Sequence, residues 1–196
     1  MIKEGFQFPD SDTHWTSNIA GYQDEVYMVA IAAMTAPFSC AIDAGAHVGI
    51  FTRRMMRDFK HVIAFEPDLR NYACLAVNTM IPPWNCSPIF GALGVTMGHG
   101  KTVVDHEPNS GARSFMRGSG DTPIYTIDAL QLRPSLIKID TQGSEEEILH
   151  GAAKTLSIWH PVLIVEYPTV GACRLLEKLS YRLVGRVNKD SVYAEE

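Results

Sequence analysis

Several things are scarce in this sequence, and each scarcity closes off an explanation. Positive charge is in deficit: Lys plus Arg is 17 against 22 for Asp plus Glu, a net charge of -5. The whole-chain field would repel a nucleic-acid backbone unless a local basic patch overrode it, so nucleic acid is not expected as a partner. The most apolar stretch, residues 26–42, is broken by Thr35, Pro37 and Ser39 and runs into Asp43. It falls short of the roughly 20 clean residues that a bilayer span needs, and no membrane segment is expected. The cysteines, Cys40, Cys74, Cys86 and Cys173, form no C-x-x-C pair, and Met1 to Gly5 lacks the basic and apolar regions of a signal peptide. Reduced thiols in a cytoplasmic protein follow. His99 and His106 lack the paired spacing of zinc ligands, so no metal is expected. No repeat, low-complexity tract or linker divides the 196 residues. Compact domains run to roughly 100 to 200 residues, which leaves room for one and excludes two large ones.

What is present, from residue 22 onward, is an alternation of strand-like apolar runs with helix-period segments, the signature of an α/β fold. The spacing predicts helices over 22–34, from 50 onward, over 69–80, 144–156 and 171–179. Strands are expected at 39–43, 61–66, 88–92, 136–140 and 162–166, with a closing hairpin of 181–187 and 192–194. In the third helix Leu69, Tyr72, Ala73, Ala76 and Met80 form the apolar stripe expected to face the core. The second helix should turn Phe51, Met55 and Met56 inward and Arg53, Arg54 and Arg57 to water, while Ser144 and Glu147 fit a capping box. Residues 95–125, with Gly98, Gly100, Gly111, Gly118 and Gly120 and only short strand-like pieces at 101–105 and 123–126, read as a loop-rich excursion over the site. Residues 1–20 form an arm ahead of a domain of residues 21–196.

Four strands run apolar and then stop on an acid: Asp43, Glu66, Asp140 and Glu166. In a parallel sheet their carboxyl ends share one edge, where open α/β folds bind ligands. Carboxylates gathered there favour a cation and disfavour an anion. After the first of these strands comes the turn Asp43-Ala44-Gly45-Ala46-His47-Val48-Gly49. Glycine lets backbone approach a ligand closely, and Glu66, about 20 residues on, is placed to accept hydrogen bonds from two ribose hydroxyls. The dinucleotide pattern is only partly met, because Ala46 and His47 stand between Gly45 and Gly49 where a pyrophosphate wants bare backbone. Its phosphates would also face Asp43 and Asp140, whereas S-adenosylmethionine brings a sulfonium and an ammonium that carboxylates attract.

Three ordered motifs carry a resemblance: Asp43 to Gly49, Phe65-Glu66-Pro67, and Lys138-Ile139-Asp140-Thr141-Gln142-Gly143-Ser144-Glu145. Together with Asn78, Ala92-Leu93-Gly94, Thr126-Ile127-Asp128 and Gly151-Ala152, over about residues 40–166, they resemble the FkbM family of S-adenosylmethionine-dependent methyltransferases. The resemblance implies a class I methyltransferase, Rossmann-like α/β fold: a seven-stranded, mostly parallel sheet with an antiparallel hairpin at one edge and helices on both faces. It also implies methyl transfer, typically to a hydroxyl of a sugar or secondary metabolite, with S-adenosyl-L-homocysteine as product. Pro67, Ala92 and Leu93 join Asp43, Gly45, Ala46, His47, Gly49, Glu66 and Asp140 as expected cofactor contacts. His47 stands where the family often has Asn, and Gln142 where many members have Glu.

Asp140 is the candidate base or acceptor-orienter, while Glu145 and Glu146 read as first-turn residues that stabilise a helix N-terminus. Two readings of the arm stay open: it packs on the sheet edge, or it folds over the donor as a lid that brings Asp12 to the acceptor and His14 into catalytic reach. Gln142, Asn109 and Ser110 are candidate substrate contacts, set against ordinary loop roles. One domain leaves no separate substrate module, so the acceptor must be met by the arm, the 95–125 loops or a second subunit of a homodimer. Two other classes compete with the methyltransferase: an NAD-linked oxidoreductase on a similar sheet, and a non-catalytic module that keeps a nucleotide pocket.

Overall fold

The computed structural model describes residues 1–13, 19, 21, 23–35, 37–104, 109–111 and 113–196. An N-terminal hairpin, β1 (Ile2–Lys3) and β2 (Phe6–Gln7), precedes α1 (Asp24–Ala33), β3 (Cys40–Ala44), α2 (Ile50–Asp58), β4 (His61–Glu66), α3 (Leu69–Thr79) and β5 (Cys86–Phe90). Then follow β6 (Ala92–Leu93), β7 (Gly98–Val104), β8 (Arg113–Arg117), β9 (Thr122–Tyr125), a single 3-10 turn, and β10 (Leu136–Ile139). The chain closes with α4 (Glu145–His150), α5 (Ala153–Trp159), β11 (Val162–Glu166), α6 (Val170–Lys178), β12 (Tyr181–Val187) and β13 (Asp190–Glu195). No helix among the described residues is long and apolar enough to cross a membrane.

The main sheet has seven strands in the order β12-β13-β11-β10-β3-β4-β5. The pairs β11–β10, β10–β3, β3–β4 and β4–β5 are parallel, and the antiparallel β12–β13 hairpin joins β11 antiparallel at one edge, the arrangement that the resemblance implies. Strand alternation divides the core. Ile42, Ala44, Ile63, Phe65, Ile137, Ile139, Leu163 and Val165 pack with Ile148, Leu149, Ala172 and Leu176 of α4 and α6. The intervening positions, Ala41, Val62, Leu136, Val162 and Ile164, pack with Val26, Ala30, Phe51, Met55 and Met56 of α1 and α2. Asp43, Glu66, Lys138, Asp140 and Glu166 are in phase with this second set, so all five belong to one face of the sheet.

Five local expectations are corrected. The face of α3 that is buried is Asn71, Cys74, Leu75, Asn78 and Thr79, whereas Leu69 is 65% and Met80 70% exposed. Hydrogen bonding outweighs apolarity here: the Asn78 amide donates to Gln7 O (2.8 Å) and Val48 O (2.7 Å) and accepts from Gln7 N (2.7 Å), stitching the arm to the helix. Arg53 does not face water alone but donates to Asn78 O at 2.5 Å and Gly5 O at 2.9 Å, over the Phe6 ring. Residues 95–125 contribute most of a four-stranded sheet, β6-β9-β7-β8, rather than loops. The single helix expected over 144–156 is two, parted at Gly151, where a Cβ would lie 2.0 Å from Gly94 O. Ser144 makes no side-chain cap, because Glu145 takes the loop donors itself, accepting from Thr141 N at 2.9 Å and Gly143 N at 3.0 Å.

Candidate active site

A cavity of about 310 Å³ opens at the carboxyl ends of β3, β4 and β10, within the range of small-molecule sites. Gly45, Ala46 and His47 of the turn line it, with Glu66, Pro67, Ala92 and Leu93 on one flank and Asp140 and Gln142 on the other; Asn109 and Ser110 also border it. Asp43, Gly49 and Asp12 do not, and His14 lies outside the described residues.

The glycines of the turn answer to packing. A Cβ on Gly45 (φ 78°) would sit 1.9 Å from Asp140 O, so its absence lets the β3 and β10 ends close together. Gly49 (φ 90°) would meet Leu75 Cδ1 at 2.8 Å. Packing thus calls for glycine at both positions, and Gly45 also lines the cavity. His47 adopts φ 52° and turns its backbone N–H onto Glu66 Oε2 at 2.9 Å, while Asp68 N donates to Glu66 Oε1 at 2.9 Å. Burial pushes the Glu66 carboxyl up to about 8 against these two donors.

On the other flank Asp43 is fully buried beneath the cavity, accepting from Thr52 Oγ1 at 2.7 Å. Lys138, 2% exposed, lies over the Phe51 ring with Nζ 3.6 Å from Asp43 Oδ1 and 3.2 Å from Asp140 Oδ2. Burial pushes the Asp43 carboxyl up. Asp140 goes the other way: burial opposes ionisation, but Lys138 and a hydrogen bond with Glu166 hold its carboxyl well below the usual range. Gln142 (φ 57°) bridges the two acids, donating to Asp140 Oδ1 at 3.3 Å and Glu166 Oε2 at 3.0 Å. Lys189, from the β12–β13 turn, pairs with Glu166 and lines the cavity. Gln23 donates to Asp140 Oδ2 at 3.4 Å and to Asp190 Oδ2 at 3.3 Å. The acids thus gather as the sequence suggests, but two lysines it did not single out divide them. A lysine inside an otherwise apolar strand was the available signal for Lys138.

The arm and the 95–125 segment meet over the turn. Buried Asp12 accepts from Ser110 N at 3.0 Å and from the Ser110 hydroxyl, which also lies 2.6 Å from His47 Nε2. Asn71 Nδ2 donates to Ser110 O at 2.9 Å. Asp12 and Ser110 are therefore latch residues, and only Ser110 borders the cavity. Among the described residues no group of His, Cys, Asp and Glu is arranged to hold a metal ion.

The chemistry of these residues is compatible with an adenosyl donor: Glu66 is a buried carboxyl at the cavity wall, Phe65, Ala92 and Leu93 are apolar lining, and Asp140 and Gln142 carry oxygen acceptors. The model of the methyltransferase FkbM domain matches residues 43–183, most of the chain and all of this cavity's strand ends. The chain belongs to the FkbM methyltransferase family. No curated protein sequence matches it. Among solved structures, the FkbM methyltransferase of Methylobacillus flagellatus superimposes with a TM-score of 0.53 at 19% identity, over 82% of this chain and 45% of that one. This FkbM chain thus spans less than half the length of that relative. The precorrin-6y C5,15-methyltransferase of Geobacter metallireducens gives 0.56 at 13%, over 99% and 100% of the two chains. The 16S rRNA N2 G1207 methyltransferase of T. thermophilus, solved with AdoMet and guanosine, gives 0.54 at 13%, over 94% and 44%. Likeness at these identities shows a shared class I methyltransferase fold.

Proposed function

We propose that this FkbM-family protein is an S-adenosylmethionine-dependent O-methyltransferase whose acceptor is a hydroxyl on a sugar or small metabolite. One observation carries the reading: Glu66 and Asp140 line a single cavity from either side of the β3 end, two strand spacings of about 5 Å apart. When bound, S-adenosylmethionine supplies a methyl group on a positively charged sulfur, already an activated leaving group. Glu66 then serves the ribose hydroxyls, and Asp140, kept anionic by Lys138, faces the cationic end. Alignment of acceptor oxygen, methyl carbon and sulfur is the main remaining requirement, and positioning of this kind supplies about 7 to 11 kcal/mol of a barrier.

The acceptor side favours a neutral polar molecule. Gln142 and Asp140 line the cavity and offer hydrogen bonds, and the net charge of -5 opposes a phosphate backbone. Calorimetry with S-adenosylhomocysteine and with NADH tests the donor. Binding of the homocysteine compound alone is expected, and binding of NADH alone overturns the reading in favour of an oxidoreductase. A donor bound with no hydroxyl acceptor turned over across a panel of sugars and small alcohols would favour a non-catalytic module.

A further inference from the structure

Asp140 is the obvious base, yet its surroundings make it a poor place to leave a proton. Lys138 sits 3.2 Å from its Oδ2, and Gln23 and Gln142 donate to its two oxygens. Each of these contacts favours the anion. Directly beside it, at the end of β11, stands Glu166, 2% exposed and outside the cavity lining. The parallel register Ile139↔Val165 carries the two acids off adjacent strands side by side, and the Gln142 amide clamps an oxygen of each.

We propose that Asp140 and Glu166 form a proton-accepting pair, Asp140 taking the proton from the acceptor hydroxyl and Glu166 holding it behind. The proposal rests on the O-methyltransferase reading above. In the transfer the acceptor O–H bond and the donor C–S bond break, an O–C bond forms, and the sulfonium becomes a neutral thioether. One proton is left over. Asp140 alone, held anionic, would keep it weakly, but Glu166, one strand over and tied to the same Gln142 amide, can take the proton and donate a hydrogen bond back to the Asp140 carboxylate. Charges facing Glu166 are Asp140, with Lys138 behind it, from β10, and Lys189 and Asp190 from the hairpin. Burial first, and the Asp140 charge second, push the Glu166 carboxyl up to about 8, against the pull of Lys189. That places its proton affinity near neutral pH, where a general base works best.

The test is a pH titration of the full chain carrying 13C-carboxyl glutamate. The Glu166 resonance is identified by its loss in Glu166→Gln and, should that variant fail to fold, by its upward move in Lys189→Met, since Lys189 sits in an exposed-side turn. A midpoint near 8 is expected, falling by about one pH unit or more in Asp140→Asn as the neighbouring charge is removed. A midpoint in the ordinary carboxylate range, or one indifferent to Asp140→Asn, overturns the pair. S-adenosylhomocysteine calorimetry on the same sample separates the two claims. Loss of binding removes the methyl-transfer reading and the pair's role with it, while an ordinary midpoint with binding intact removes the pair alone. With an accepted acceptor, wild-type turnover should rise with pH to a plateau above the Glu166 midpoint. Glu166→Gln should lower kcat about 10²-fold or more and flatten that profile, with donor affinity kept.

Discussion

With Glu66 on the ribose hydroxyls as proposed, donor binding becomes pH-dependent. Burial holds its carboxyl at about 8 in the free protein, so at neutral pH most molecules carry a proton there. Two ribose hydroxyls donate to a carboxylate, and the neutral acid is a poorer acceptor that must first lose its proton. If only the ionised form binds, the apparent Kd grows by the factor 1 + 10^(8 − pH), about 100-fold at pH 6, about 11-fold at pH 7 and close to one at pH 9, some 2.7 kcal/mol across the range. A suitable probe is 5′-methylthioadenosine, which keeps the ribose but has no group titrating near neutral pH. Its affinity should rise steeply from pH 6 to 8 and level off above. Calorimetry in buffers of different ionisation enthalpy should show nearly one proton released per ligand bound at pH 7. Glu66→Gln should weaken binding and flatten the profile. Affinity that is level from pH 6 to 9, with no buffer dependence, would refute the role given to Glu66.

Three further outcomes follow. Gly45→Ala places a Cβ 1.9 Å from Asp140 O at a left-handed φ, and the denaturation midpoint should fall by the equivalent of about 3 kcal/mol or more; an unchanged midpoint would show that the β3 and β10 ends separate freely. Lys138→Met strips the counter-charge from Asp43 and Asp140, for a loss of about 3 to 5 kcal/mol at pH 8. Without the lysine both carboxyls take protons more readily when folded than when unfolded, so stability should fall as pH rises and recover toward pH 5, which urea titrations at several pH values check. Asp12→Ala removes the acceptor of the Ser110 amide and hydroxyl. Hydrogen exchange at Ser110 should then quicken by about 10- to 100-fold, from charged hydrogen bonds of about 1.5 to 3 kcal/mol, and no change would mean that the latch carries no load.

The fold was readable because its strands are apolar runs ended by punctuation. His61 to Glu66 is a strand with the expected bounds, and the closing hairpin and parallel core follow the alternation. The failures share a cause. Apolar periodicity placed Leu69 and Met80 inside, yet a helix buries whichever face its neighbours can satisfy, and the partners of Asn71 and Asn78 lie 39 and 71 residues away in Ser110 and Gln7. The same blindness to distant partners hid β8 and its pairing with β7, which runs from Gly100↔Arg117 to Val104↔Arg113 across a glycine-rich stretch. No local pattern signals either contact.

The site shows a subtler limit. That acids end four strands was plain, and their shared face was also within reach, since Asp43, Glu66, Asp140 and Glu166 each fall an even number of positions from a residue packed under α1 and α2. What the strand ends alone do not tell is which acid stays charged. That depends on Lys138, two residues before Asp140 and in register with Asp43, and on Lys189, which arrives from the far hairpin. Those two cations sort four similar carboxyls into different jobs. Asp43 anchors the lysine, Asp140 keeps its charge at the cavity wall, and Glu166, its carboxyl raised first by burial and then by the Asp140 charge, is the proposed resting place for a proton. Glu66 is raised by burial against the backbone N–H groups of Asp68 and His47, with neither lysine among the causes. A carboxylate rim built only of acids would neutralise itself with protons, so the lysines are what allow the rim to meet a cation as an anion.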